Sequence, residues 1–295
     1  MISYPGMSTS DSTRRDQAFN RELRTPDSLR RHYEIERTLA KRLMSASASE
    51  RPGLYSTVYD ELFKTVLDHP QNVRKHDPVK QQKKTDYQLE LLGRFLTPTS
   101  VYLEVGPGDC HLTMAVARKV RRAIAVDVSE ILPREVVRPD NFSLILTDGT
   151  TIDVEPSSVD ITYSNQLMEH LHPDDAEAQL RQIYRAIKPG GKYVCVTPHR
   201  FSGPHDISCH FVDVAEGFHL KEYSWGELRQ LFNDVGFRSV EMWMGIKHSW
   251  VSVPSAAVLA SETMLDALPT VTRKRFATRL PFRTLFTNIT IVGCK

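Results

Sequence analysis

Three carboxylates stand at near-equal intervals in the middle of the chain: Glu104, Asp127 and Asp148. Each closes a short apolar run, VYLEV (101–105), AIAVD (123–127) and FSLILTD (142–148). Beside the first lies the turn Gly106-Pro107-Gly108. Glycine permits a tight turn and lets a ligand come close to the backbone, and a helix that starts there offers unpaired N–H groups. Asp127 lies 21 residues beyond Gly106, the distance at which a strand-end acid accepts hydrogen bonds from ribose hydroxyls. Asp148 lies a further 21 residues on, where a carboxylate can accept from an adenine amino group. The G-x-G-x-x-G pattern of dinucleotide folds would need glycine at 111, where the residue is His111. A ring of acids repels a pyrophosphate and suits a nucleoside that carries positive charge and no phosphate.

These residues must be held by strands and helices. From Thr97 on, short apolar runs alternate with amphipathic segments. After the three runs above come VDITYS (159–164), KYVCVTP (192–198), RSVEMWMG (238–245) and LFTNITIVGC (285–294). Between them, Leu112, Val116 and Val120 recur at helical spacing, as do Leu180, Ile183, Tyr184 and Ile187. Asp174 and Glu177 have capping-box spacing, as do Ser224 and Glu227, and Lys188-Pro189-Gly190-Gly191 reads as a helix stop. Strand–helix alternation predicts an α/β fold, a Rossmann-like seven-stranded mixed sheet with helices on both faces. The core is expected over 97–295, with a helical insertion at 246–284 holding helices near 254–267 and 270–279. Before it, 28–96 reads as a helical extension: Ile35, Leu39 and Leu43 share one face, Leu54, Val58, Leu62 and Val66 a second, and Leu89, Leu92 and Phe95 a third. Lys80, Lys83 and Lys84 form a short basic run that reads as a solvated face. Residues 1–27 read as a flexible tail with no apolar segment of the secretory kind.

Composition narrows the function. Lys and Arg number 38 and Asp and Glu 36, a net charge of +2, which gives no pull toward nucleic acid. No apolar run reaches the roughly 18 residues of a membrane span. The four cysteines, Cys110, Cys195, Cys209 and Cys294, form no C-x-x-C pair, and a reducing, cytoplasmic setting is expected. Nothing in the sequence speaks to oligomeric state.

In order and spacing, LEVGPGDC (103–110), AVDVS (125–129), LTDGT (146–150), VDITYSNQLMEHL (159–171), IKPGGKYVCVTP (187–198) and the W…L…LF…VGF of 225–237 resemble the class I S-adenosylmethionine-dependent methyltransferases. The likeness is greatest to the branch that methylates small molecules, such as the quinone-biosynthesis and sugar or natural-product enzymes. The resemblance implies S-adenosyl-L-methionine as cofactor. Its methionine end would lie at Gly106, Pro107 and Gly108 with Glu104 nearby, its ribose at Asp127 and Val128, and its adenine at Asp148 and Gly149. Asn165 and Gln166 would line it near the methyl group. Cys110 replaces a glycine frequent in the family. The Asn/Asp-Pro-Pro-aromatic motif of base methylation is absent from SNQLMEHL (164–171), so a small-molecule acceptor is expected and nucleic acid is not.

Methyl transfer from a sulfonium is an in-line displacement. It needs alignment and exclusion of water, and a base only where the nucleophile must lose a proton. The segment 198–224 carries His199, Arg200, His205, Asp206, His210 and His219. His199 and His205 lie nearest the strand end and are the candidates for substrate contact or general base, which favours an oxygen nucleophile. His205, Asp206 and His210 do not make a compact ligand set, so no metal is expected. His170, in the Glu-His-Leu that the family often carries, reads as structural, and Trp225, Trp243, Trp250, Tyr55 and Tyr59 read mainly as core.

Overall fold

The computed structural model describes residues 24–73, 77–129, 132, 137–246 and 249–295. Most of the expected tail lies outside the described residues. Its last residues already belong to structure: Thr25 caps helix α1 (Pro26–Ser45) by accepting from the Ser28 N–H, and Pro26 opens the first turn. Helices α2 (Arg51–Thr65), α3 (Pro70–Val73) and α4 (Pro78–Leu92) complete the extension.

Among the described residues the sheet has eight strands: β1 (Val101–Val105), β2 (Arg122–Asp127), β3 (Phe142–Leu146), β4 (Val159–Asn165), β5 (Ile187–Pro198), β6 (Ser239–Ile246), β7 (Ser249–Val253) and β8 (Asn288–Cys294). Their order is β3-β2-β1-β4-β5-β8-β6-β7. The first five are parallel, and β8 enters antiparallel between β5 and β6. β7 lies inside the stretch 246–284 that the sequence alone marks as a helical insertion. SWVSV is too short and too exposed to announce itself, and it forms because β6 folds back on it as a hairpin. Trp250 then packs on α4, its ring 4.9 Å from that of Tyr87.

Helices α5 (His111–Ala117), α6 (Pro173–Ala186), α7 (Trp225–Val235), α8 (Ser255–Asp266), α9 (Thr270–Ala277) and α10 (Arg283–Phe286) follow the strands. Ser224 and Glu227 do form a capping box on α7. On α6 the cap is His172, whose side chain accepts from the Asp174 N–H, because Pro173 takes the first helical position. No described helix is long and apolar enough to cross a membrane.

Strand alternation divides the core. Val101, Leu103 and Val105 face α1, α2, α6 and α7, whereas Tyr102 faces α4 and α5. Glu104 shares the face of Tyr102, so its carboxylate is driven under α5. The strand order reverses between β1 and β4, and the carboxyl ends there define the crevice in which open α/β sheets hold ligands.

Candidate active site

The glycine turn is built as the spacing requires. Gly106 and Gly108 both have positive φ, +67° and +59°, and Cys110 follows at 54°. The Gly106 N–H donates to Val126 O (2.9 Å), which ties the turn to the end of β2. A methyl group on Gly106 would lie 2.9 Å from Leu167 Cδ1, so this residue packs under the segment that leaves β4. A methyl on Gly108 would meet nothing within 4 Å among the described residues: that face of the turn is open to them.

The acids behave differently from one another. Glu104 is buried and accepts from Thr113 Oγ1 (2.6 Å) and Tyr102 OH (3.2 Å). Burial pushes its carboxyl up to about 7, against the pull of those two hydroxyls. Asp127 gathers backbone N–H groups, from Gly108 (3.1 Å), Val128 (2.7 Å) and Ser129 (3.3 Å). It is thereby fixed beside the open face of the turn, and burial raises its carboxyl above the usual range. Asp148 lies two residues past the end of β3 in an exposed Thr-rich turn, where Oδ1 accepts from the N–H and hydroxyl groups of Thr150 and Thr151. Those bonds hold its carboxyl below the usual range despite the cost of burial.

Gly149 sits beneath the helical extension. A methyl there would lie 3.0 Å from Val128 Cγ1 and 3.2 Å from Tyr55 Cβ. Tyr55 is held by a buried network that sequence reasoning did not find. Arg51 donates two bonds to Asp175 (2.7 and 2.8 Å), and the Tyr55 hydroxyl donates to Asp175 (2.7 Å) while accepting from the His172 N–H (3.0 Å). Burial alone would raise the Asp175 carboxyl, but these donors hold it below its ordinary value. The start of α2 is thus clamped to the start of α6.

Two cavities open where β4 ends. One, of about 270 Å³, is lined by Lys84, Tyr87, Gln88, Tyr163, Asn165, Trp243, Trp250 and Asn288 among others. Gln166 stands beside it with φ 57° and its N–H donated to Val196 O (2.8 Å). The other, of about 350 Å³, is walled by six histidines, His32, His69, His170, His205, His210 and His219, together with Glu36, Tyr59 and Asp206. Two of these walls were legible in principle. His32 and Glu36 fall on the same helical stripe as Leu29, Leu39 and Leu43, and ionisable groups on an apolar stripe are uncommon.

His199 and His205 have separate fates. His199 is fully enclosed: Nε2 bonds Glu262 (2.8 Å) and Nδ1 accepts from the Phe201 N–H (3.0 Å). Both nitrogens are committed, burial lowers its pKa, and it lines neither cavity, so the position offers nothing to a substrate. His205 stands on the exposed rim of the histidine cavity. Its Nε2 bonds Ser202 Oγ (3.0 Å) and the His199 carbonyl (3.3 Å), leaving Nδ1 as the lone-pair nitrogen. Of the tryptophans, Trp225 is core, whereas Trp243 and Trp250 line the smaller cavity.

A parallel sheet with reversed order at β1/β4 and an antiparallel β8 beside β5, with a glycine turn open toward Asp127, give a Rossmann-like fold of the methyltransferase type. Residues 103–195 match the methyltransferase domain family known as Methyltransf_11. Over 156 residues the chain is 28% identical to a probable S-adenosylmethionine-dependent methyltransferase of Mycolicibacterium smegmatis, covering 50% of this chain and 54% of that protein. Over 96 residues it is 32% identical to phosphoethanolamine N-methyltransferase 1 of Triticum aestivum, covering 30% of this chain and 19% of that one. The chain thus spans about half the length, or less, of these curated relatives. In fold it resembles the methyltransferase of Haloferax volcanii solved in complex with the Trm112 methyltransferase activator, with a TM-score of 0.52 and 21% identity over 73% of this chain and 91% of that one. Over 103–195 the chain thus carries a methyltransferase domain, and S-adenosyl-L-methionine is the cofactor that this domain and its relatives imply.

The residues present fit that cofactor. Gly108 leaves room at the turn, and Asp127 is a fixed carboxylate beside that room. Glu104 supplies a buried acid that a cationic methionine end would ionise.

Proposed function

We propose that this chain transfers the methyl group of S-adenosylmethionine to a hydroxyl oxygen of a small molecule bound in the histidine-lined cavity. One observation carries the reading: the glycine turn and the cavity share one short segment. Gly106 packs on Leu167, and His170, three residues on, lines the cavity wall. Cofactor and acceptor would therefore meet across the loop that leaves β4. Asn165 and Gln166, at the start of that loop, would border the methyl group. Asp148 and Gly149 would border the adenine, with Tyr55 as its roof.

Alignment across that loop brings the reacting atoms together, and the helical extension of 28–96 covers the crevice as a lid against water. His205, with Nδ1 uncommitted on the rim, would take the hydroxyl proton. The insertion after β6 closes the other side, where Arg283, Thr284 and Thr287 reach the smaller cavity. The near-even charge supports a small acceptor over nucleic acid.

The test has two stages. Calorimetric titration with S-adenosylhomocysteine and with NAD, on wild type and Asp127→Ala, should give micromolar binding of the first alone, lost in the variant. Turnover of methyl-labelled cofactor is then followed with hydroxyl, amine and thiol acceptors. Product from a hydroxyl acceptor supports the reading. Product from amines alone, the chemistry in the name of the wheat relative, would overturn the choice of oxygen. Binding without turnover on any acceptor would point to a silent cofactor-binding subunit.

A further inference from the structure

We propose that Glu169, His170 and His219 bind one divalent transition-metal ion, with zinc the best match, in the wall of the histidine-lined cavity. One ligand atom from each lies within 4.8 Å of the other two. Around a tetrahedral ion with bonds of about 2.0–2.2 Å, such atoms stand about 3.3 Å apart.

The hydrogen bonds of the three residues are arranged as those of metal ligands are. His170 Nδ1–H donates to the Phe218 carbonyl (2.9 Å), which leaves Nε2 with its lone pair. His219 Nδ1–H donates to Glu222 Oε1 (2.8 Å), again leaving Nε2. A carbonyl or carboxylate behind each imidazole fixes its tautomer and aims the other nitrogen. Glu169 is 0% exposed. Its Oε2 accepts from Thr197 Oγ1 (2.9 Å), while Oε1 is buried with no hydrogen-bond partner among the described residues. A buried carboxylate oxygen without a donor is costly, and a cation is the partner that removes the cost.

A second cluster nearby has the same residue types and shows what a finished hydrogen-bond network looks like. In His32, Glu36 and His69, His32 Nε2–H donates to Glu36 Oε2 (2.8 Å) and Nδ1 accepts from Arg24 (2.8 Å). Glu36 Oε1 accepts from the Phe218 N–H (2.8 Å). The lone pairs of His32 and both oxygens of Glu36 are used there. No hydrogen bond among the described residues uses those of Glu169 Oε1 or of the two Nε2 atoms in the first cluster. Two imidazoles and one carboxylate, with a fourth position open to a cavity, form the ligand class of hydrolytic zinc centres. Where the oxygen-acceptor reading holds, that position would receive the acceptor hydroxyl and make its proton easier to lose. Metal binding itself does not rest on that reading.

The chain is stripped with a chelator, dialysed, and titrated with Zn²⁺ by calorimetry and with Co²⁺ by visible absorption. Melting and S-adenosylhomocysteine binding are recorded on the same samples. One equivalent of Zn²⁺ should bind at micromolar affinity or tighter. Glu169→Gln and His219→Gln should each weaken it at least 100-fold, and His32→Gln should leave it within about threefold. Should His219→Gln fail to melt cooperatively, His219→Cys replaces it and must add a thiolate-to-cobalt charge-transfer band. The proposal is overturned if folded wild type takes up no zinc, if both glutamine variants retain it, if His32→Gln alone loses it, or if a cobalt-loaded His219→Cys lacks the new band. Because S-adenosylhomocysteine binding is read separately, failure of the metal site and failure of the methyltransferase reading give different results.

Discussion

Alanine at Gly106 and at Gly108 should separate the two jobs of the turn. Both glycines sit at positive φ, +67° and +59°, so an alanine at either costs about 1–2 kcal/mol of backbone strain. The added methyls then meet different surroundings. At 106 it would lie 2.9 Å from Leu167 Cδ1, closer than van der Waals contact, and Leu167 must shift at a further cost of about 1 kcal/mol. At 108 it meets nothing within 4 Å among the described residues and projects into the space assigned to the cofactor. The variants should therefore order oppositely in two assays. Gly106→Ala should be the less stable, with Tm lowered by about 4–10 °C against about 2–6 °C for Gly108→Ala. Gly108→Ala should be the weaker binder of S-adenosylhomocysteine, by at least about tenfold relative to Gly106→Ala, equivalent to about 1.4 kcal/mol. Scanning calorimetry and ligand titration of both proteins decide it. If Gly108→Ala binds as wild type does, the open face of the turn does not hold the cofactor, and the assignment of the site falls with it.

Three further outcomes follow from the packing. Arg51→Ala leaves the Asp175 carboxylate buried without its bidentate partner and should cost about 3–5 kcal/mol in urea unfolding, with the Arg51→Ala/Asp175→Ala double variant recovering part of the loss. Glu104 titrates in the folded chain near 7, raised from an ordinary 4.5, so the folded state holds its proton longer than the unfolded one does. Stability is undiminished on this account below pH 4.5 and falls as pH rises from there through 7, by ~3 kcal/mol in all. Glu104→Gln should match wild type in Tm more closely at pH 5 than at pH 8, where the variant should be the more stable; an equal offset at both pH values would count against the buried, protonated acid. Ser224→Ala removes one half of the α7 capping box and should cost about 1 kcal/mol in the same unfolding measurement.

Local chemistry made much of this protein legible in its sequence. The turn needed glycines at 106 and 108 because of their left-handed backbone. The apolar runs declared β1 to β6 and β8 by their period and bounding turns, and Leu39 and Leu43, or Val58 and Leu62, marked buried helix faces by spacing alone. Each of these signals lies within a few residues. The remaining strand did not carry one, since β7 is held by its pairing with β6 and by α4 covering Trp250. The same limit governed the histidines. His199 and His205 looked equivalent along the chain, yet the fold encloses one against Glu262 and leaves the other on a rim. Glu169 and His170 are 50 and 49 residues from His219 in sequence, and the clamp of Arg51 on Asp175 spans 124. Side-chain types and short-range spacing determine which elements form and which end of the sheet carries the glycine turn and its acids. Which imidazoles keep a free nitrogen, and which carboxylate oxygen lacks a donor, is set by contacts between segments that only the folded chain brings together.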